Sequence, residues 1–183
     1  MTANELPALL PPDTPSDIAD FVAYWSSLPK TGLVPNLSDY LDRAPPKLQP
    51  YVGISDIHSP TKMTMRLFGT GLVELAGNDP TGTPLELLYS EKIRARMGKA
   101  VWDVVTRPTA CLCIRSIRRR SGRMLDCPSI CLPLSNHSAT ANTAITYANF
   151  SKDDVKFAEQ DQMELVQDWR VTHWIDLGAG VPD

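Results

Sequence analysis

The stretch "YVGISDIHSPTKMTMRLFGT", Tyr51 to Thr70, decides the fold. Before it, apolar residues recur every three or four positions; within it they alternate, Val52 and Ile54, then Met63, Met65 and Leu67 against Thr64 and Arg66. A period of two places successive side chains on opposite faces of an extended chain, so two strands are predicted, joined around "HSPTK". Arg66 therefore falls on the face opposite Met63, Met65 and Leu67.

Upstream, "TPSDIADFVAYWSSL" places Ile18, Phe21, Val22, Trp25 and Leu28 at helical spacing behind Thr14, Pro15 and Asp17, a capping-box variant. This is one amphipathic helix with an aromatic stripe, which either packs on the chain's own core or forms a shared dimer face. From Lys30 to Pro50 the prolines predict bends, with a short helix near Ser38 to Asp42. Downstream, "GTGLVELAGNDPTGTPLELL" reads as short helical pieces joined by glycine turns. A longer helix follows, opened by Ser90, with Ile93, Met97, Ala100, Val101 and Val104 on one face and Pro108 ending it.

Two strands then flank a turn at Ser121 and Gly122, and "TAITYANF" reads as a further strand. Ser151 to Asp154 forms a capping box before a segment with helical content, and the chain closes with a strand at Thr172 to Leu177. Strands on both sides of a helical middle give an α+β class: an antiparallel sheet with short helices on one face and an N-terminal amphipathic helix. The expected organisation is an N-terminal helical arm at 1–50, a sheet domain at 51–150, and a C-terminal helix and closing strand at 151–183.

The ending "WIDLGAGVPD" invites a nucleotide-site reading, but only three residues follow Gly180, so the helix and ribose-binding acid such a site needs have no place here. Asp176 is instead expected to cap the turn or join a salt bridge. A chain of 183 residues with 43% hydrophobic and 21% charged residues suits one ordinary domain. A net charge of −3 argues against bulk binding of nucleic acid or anionic lipid. No apolar run approaches the roughly 20 residues of a membrane span. "MTANELPALLPP" lacks a signal peptide's charged start, so a cytoplasmic protein with four reduced cysteines is expected.

From "FVAYWSSLPKTGLVPNLSDY" through "MRLFGT" and "GNDPTG", with a fainter match at "LPL", Leu132 to Leu134, the sequence resembles a family of PAS-domain proteins common in alphaproteobacteria. The resemblance implies a PAS-like fold and a stand-alone, non-enzymatic sensory or regulatory module of signal transduction. It would act by homodimerisation through the N-terminal helix or by docking to a signalling partner, and would in some cases hold a small apolar ligand. Gly69, Thr70, Asp79, Thr81 and Gly82, within the matched motifs, read as structural: turn and cap residues.

Flavin is disfavoured because no cysteine lies between Gly69 and Pro108, and haem because the helix from Ser90 to Thr106 has no histidine. No cofactor, catalytic residue or metal ligand is assigned. Arg66 and His58 are the candidate ligand-binding residues: Arg66 pairs with an acid, holds a ligand carboxylate or is solvated, and His58 stands near a strand end. The alternative function is a metal- or haem-binding sensor using His58 or the cysteines. Cys111 and Cys113 share one strand face, as do Cys127 and Cys131. Pairing Cys113 opposite Cys127 unites the sets on one face, whereas a two-residue turn at Ser121 and Gly122 separates them. "RSIRRRSGR", Arg115 to Arg123, is the basic cluster, read as a solvated hairpin tip or a docking site for an acidic partner, with the acid-rich Lys152 to Asp168 as its complement in a dimer.

Overall fold

In the computed structural model, residues 6–136, 141–150, 154, 161 and 163–182 are described. The elements run α1 (Ser16–Ser27), β1 (Lys30–Thr31), β2 (Val34–Pro35), α2 (Leu37–Arg43), β3 (Val52–Ser59), β4 (Lys62–Phe68), α3 (Thr70–Ala76), α4 (Glu91–Thr106), β5 (Thr109–Arg119), β6 (Met124–Leu134), β7 (Thr143–Ala148) and β8 (Met163–Asp176). Six strands form one antiparallel sheet in the order β4-β3-β7-β6-β5-β8, while β1 and β2 make a separate two-stranded ribbon. The hairpin expected from Tyr51 to Thr70 is β3 and β4, and the class is the α+β one expected.

Residue size differs between the two faces of this sheet. On one face, Val52, Ile54, Ile130, Leu132, Ile145 and Tyr147 are buried and large. They are brought together by the register: Val52 and Ile130 both pair with Tyr147, Ile54 and Leu132 both with Ile145. Helix α1 covers this face. Phe21 stacks on Tyr147 with ring centroids 5.0 Å apart, and the Trp25 indole Nε1 donates to the Pro133 carbonyl at 3.2 Å. The aromatic stripe of α1 is thus spent inside the chain, and residues 1–50, expected as an arm, contribute a layer of the same core from Leu6 onward. Pro15 occupies the helix N-cap, and the Thr14 hydroxyl is buried without a hydrogen-bond partner rather than capping.

The other sheet face carries α3 and α4. Gly69 opens α3, but not because of its backbone angle, which is an ordinary −62° in φ. A Cβ at this position would overlap the Pro50 carbonyl oxygen, so the residue permits close approach of two backbone segments. We expect Gly69→Ala to lower stability by about 1–3 kcal/mol, the usual cost of overpacking, as read from a urea unfolding curve. The turn after α3 follows expectation: Asp79 Oδ1 accepts from the Thr81 amide at 2.9 Å and from its hydroxyl at 2.7 Å.

The β5–β6 turn holds three residues, not two. The Arg119 amide donates to the Arg123 carbonyl and the Gly122 amide to the Arg119 carbonyl, with Gly122 at φ 86°. A left-handed residue closing a three-residue loop is a standard hairpin solution. That one additional residue sets the register: Cys111 faces Cys131, Cys113 faces Ser129 and Arg115 faces Cys127, so all four cysteines lie on one face.

Strand β8 corrects the helix expected before the closing strand. Met163 to Trp169 is extended and paired with β5. Register shifts between Leu112 and Cys113, Ser116 and Ile117, and Arg118 and Arg119 each add a residue to β8. These bulges re-aim the side chains, so Met163, Val166 and Trp169 share a face at a spacing of three and imitate a helical period. The expected capping box at Ser151 lies outside the described residues apart from Asp154. The final turn follows expectation: Asp176 Oδ1 accepts from the amides of Gly178 and Gly180 at 2.7 and 2.8 Å, and those bonds hold its carboxyl below the usual range.

Candidate functional site

Between the second sheet face and the α3 and α4 layer lies a cavity of about 220 Å³. Its floor explains it. Gly53 and Ser55 of β3, and Ala144, Thr146 and Ala148 of β7, line it. These alternate with the large residues that pack under α1, so the strands are small on one side and bulky on the other. The helical side contributes Phe68, Leu72, Leu88, Met97 and Val101, and β8 contributes Met163, Val166 and Trp169. The space is larger than the ~150 Å³ that accepts benzene and smaller than the ~300 Å³ at which drug-sized pockets begin.

One full charge is built into this largely apolar wall. Arg115 is enclosed by the protein, and the part of it still accessible lines the cavity. Its Nη1 donates to the Ser129 hydroxyl at 2.6 Å, and Ser129 Oγ donates in turn to the Cys127 carbonyl at 3.4 Å. No carboxylate among the described residues pairs with it. Desolvation opposes its charge, but an arginine's ordinary value lies so far above neutral that the guanidinium stays protonated. Glu164 also lines the cavity, but it is half exposed and salt-bridged to Arg118 at 2.9 Å.

Cys113, Cys127 and Cys131 line the same wall, and all four cysteines are buried and free. Burial pushes the Cys113 thiol up to about 12 and the Cys127 thiol up to about 11, with nearby Arg115 pulling the other way. Cys111 shares a hydrogen bond with Cys131 in the dry interior, and that bond and burial push it up as well. The nucleophilic thiolates of Cys111, Cys113 and Cys127 are therefore scarce at neutral pH, and Cys131, whose thiol the bond from Cys111 pulls below its ordinary value, is shielded by burial. Less than one equivalent should react with Ellman's reagent within minutes at pH 8 in the folded protein, and all four after denaturation. Because these folded-state values exceed the ordinary value of 9.0, the stability tied to neutral thiols is intact below that pH and is lost as pH rises towards about 11 to 12.

The basic cluster divides in two. Arg115 turns into the cavity, whereas Arg118, Arg119 and Arg123 surround the hairpin tip and meet acidic partners within the same chain. Arg119, 1% exposed, donates from Nη1 to the Asp161 carbonyl at 2.7 Å and from Nη2 to the Asp154 carbonyl at 3.1 Å. Ser121 donates its amide and hydroxyl to the Asp161 carboxylate at 2.8 and 2.7 Å, holding that carboxyl below its usual range.

The two ligand-binding candidates lie elsewhere. Arg66 Nε donates to Asp56 Oδ1 at 2.8 Å on the outer surface of β3 and β4, and His58 is exposed near the end of β3. Neither lines the cavity. Among the described residues, no group of three or more histidine, cysteine or acidic side chains is placed to hold a metal. Arg115, Ser129 and Trp169 escaped the sequence reading. The available signal was that Arg115 continues the alternation Cys111, Cys113 on a buried strand face.

A protein-family model described as PAS domain matches residues 14–147. The chain belongs to the PAS-domain family. PAS domains are sensory and signalling modules, and the matched span runs from the start of α1 to β7, leaving β8 outside it. Among solved structures, the chain is similar to a PAS domain from Colwellia psychrerythraea, at 16% identity and a TM-score of 0.43, covering 58% of this chain and 93% of that one. A fungal LOV-domain photoreceptor matches at 13% identity and 0.39, over 59% of this chain and 78% of that one. An RNA-binding light-oxygen-voltage receptor matches at 14% and 0.43, over 86% of this chain and 50% of that one. No curated protein matches. No helix among the described residues is long and apolar enough to cross a membrane.

Proposed function

We propose that this PAS domain is a non-enzymatic, ligand-responsive regulatory module whose input is occupancy of the cavity between the sheet and the α3 and α4 layer. The observation that carries this reading is the row of small residues, Gly53, Ser55, Ala144, Thr146 and Ala148, on a sheet face whose other side is packed with large ones. A face meant only for packing would be filled in the same way on both sides.

An occupant would touch β8 at the sheet edge and α3 at once, and a ligand shifts an equilibrium only through such differential contacts. Output passes to a signalling partner or to a second copy of the chain. A homodimer through α1 would use its outer residues, Asp20, Ala23 and Ser27, since the apolar stripe is already covered.

Small neutral apolar probes test the reading. Toluene or hexanamide at a hundredfold excess over Kd should stabilise the folded protein by about 2.7 kcal/mol, read as a rise in melting temperature. Ala144→Phe, which fills the cavity from β7, should melt normally and lose that response. An unchanged response in Ala144→Phe would place binding elsewhere, and no response in either protein would sink the reading.

A further inference from the structure

We propose that the natural occupant of the cavity is a small apolar monocarboxylate whose carboxylate is held by Arg115. This rests on the cavity being a ligand site and adds the chemistry of what enters it. A buried charge is ordinarily paired, because removing it from water is costly unless an opposite charge offsets the loss. Arg119, which is fully buried, obeys this rule, with Asp154 and two carbonyls around it, whereas Arg115 is half-buried against the cavity. Arg115 has one neutral hydroxyl, and its remaining N–H donors have no acceptor among the described residues.

The wall around Arg115 is arranged for an acceptor. Ser129 holds one arm of the guanidinium and is itself anchored to the Cys127 carbonyl, so it is a positioning residue that fixes the direction of the fork. Trp169 stands directly across from Arg115 in the β5–β8 register. Its buried indole Nε1 has no partner of hydrogen-bonding geometry, only the soft sulfur of Cys113 nearby. Cross-strand neighbours on one face lie about 5 Å apart, so the Trp169 ring is a wall beside Arg115.

A planar guanidinium matches a carboxylate in a two-point contact. A single positive charge without a carboxylate partner among the described residues calls for a single negative one. The rest of the wall, from Met65, Phe68, Leu72, Leu88 and Val101, asks for hydrocarbon, and 220 Å³ limits it to a short chain or one ring.

Hexanoate and hexanamide, equal in length and differing in charge, separate the possibilities by calorimetric titration at pH 7 with the full chain. Hexanoate should bind about tenfold or more tightly than hexanamide, as charge-assisted contacts outweigh neutral ones. Arg115→Met should abolish that preference while leaving hexanamide binding in place. Should Arg115→Met fail to fold by circular dichroism, Ser129→Ala serves in its place: it frees the guanidinium and should weaken hexanoate several-fold without affecting hexanamide. Equal affinities for both probes in the unaltered protein, or a preference left undiminished by these substitutions, would overturn the carboxylate and leave the cavity reading standing. Absence of binding by either probe would count against the cavity reading itself.

Discussion

Trp25→Ala should lower the stability of the protein by about 3–5 kcal/mol, the range for removing a buried large aromatic. Against a typical total of about 5–15 kcal/mol, that loss is close to unfolding the chain. The side chain is 1% exposed, and its indole donates to the Pro133 carbonyl inside β6. Truncation therefore opens a void under the sheet and strips an acceptor at the same time. For a chain of this size the midpoint should fall by about 6–20 °C in a thermal melt. Trp25→Phe, which keeps most of the volume but loses the bond, should cost about 1–3 kcal/mol. The comparison asks whether α1 is an appendage, since a helix docked from outside would yield a loss within about 0.5 kcal/mol, as surface changes do.

Arg119→Ala should be as damaging, about 3–5 kcal/mol, the cost of breaking a buried charge pair from one side. The substitution leaves the carbonyls of Asp154 and Asp161 without their donor and leaves Asp154, 6% exposed, short of a cation. Arg119→Lys keeps the charge but not the fork that reaches two carbonyls, so it should recover only part of the loss. Chemical unfolding of the three proteins side by side checks the order. Equal stability of Arg119→Ala and the parent would mean that the hairpin tip and the following segment are held together by something else. The same comparison bears on the basic cluster, because the complement expected from a second chain is found within this one.

Much of the fold was legible because hydrophobic period reports element type directly. Val52 to Leu67 alternates, Ile93 to Val104 recurs every three or four residues, and both segments fold as their periods say. Where the reading failed, a local feature had altered the period. In β8 the bulges spread Met163, Val166 and Trp169 to a helical spacing, which no inspection of that segment alone would undo. At the β5–β6 hairpin the faces of the cysteines turned on one loop residue, and turn length is set by a glycine angle that is not written in the composition.

The candidate site was less legible for a different reason. A cavity is a shortage of volume, and Gly53, Ser55, Ala144, Thr146 and Ala148 come from two strands far apart in sequence that become neighbours only in the sheet. Arg115 was hidden among the arginines of a hairpin tip, though its strand position sets it apart from Arg119 and Arg123. The small and large alternation in "AITYA" was the signal available, with small residues at every second place of a strand buried on both faces.

The most direct test of the central claim is native mass spectrometry of the purified protein beside its Ala144→Phe variant. The unaltered chain should carry one small acidic molecule that is absent from the variant while both remain folded. Both proteins at the masses of their bare chains, with no mass gained by the unaltered chain on adding hexanoate or hexanamide, would contradict it.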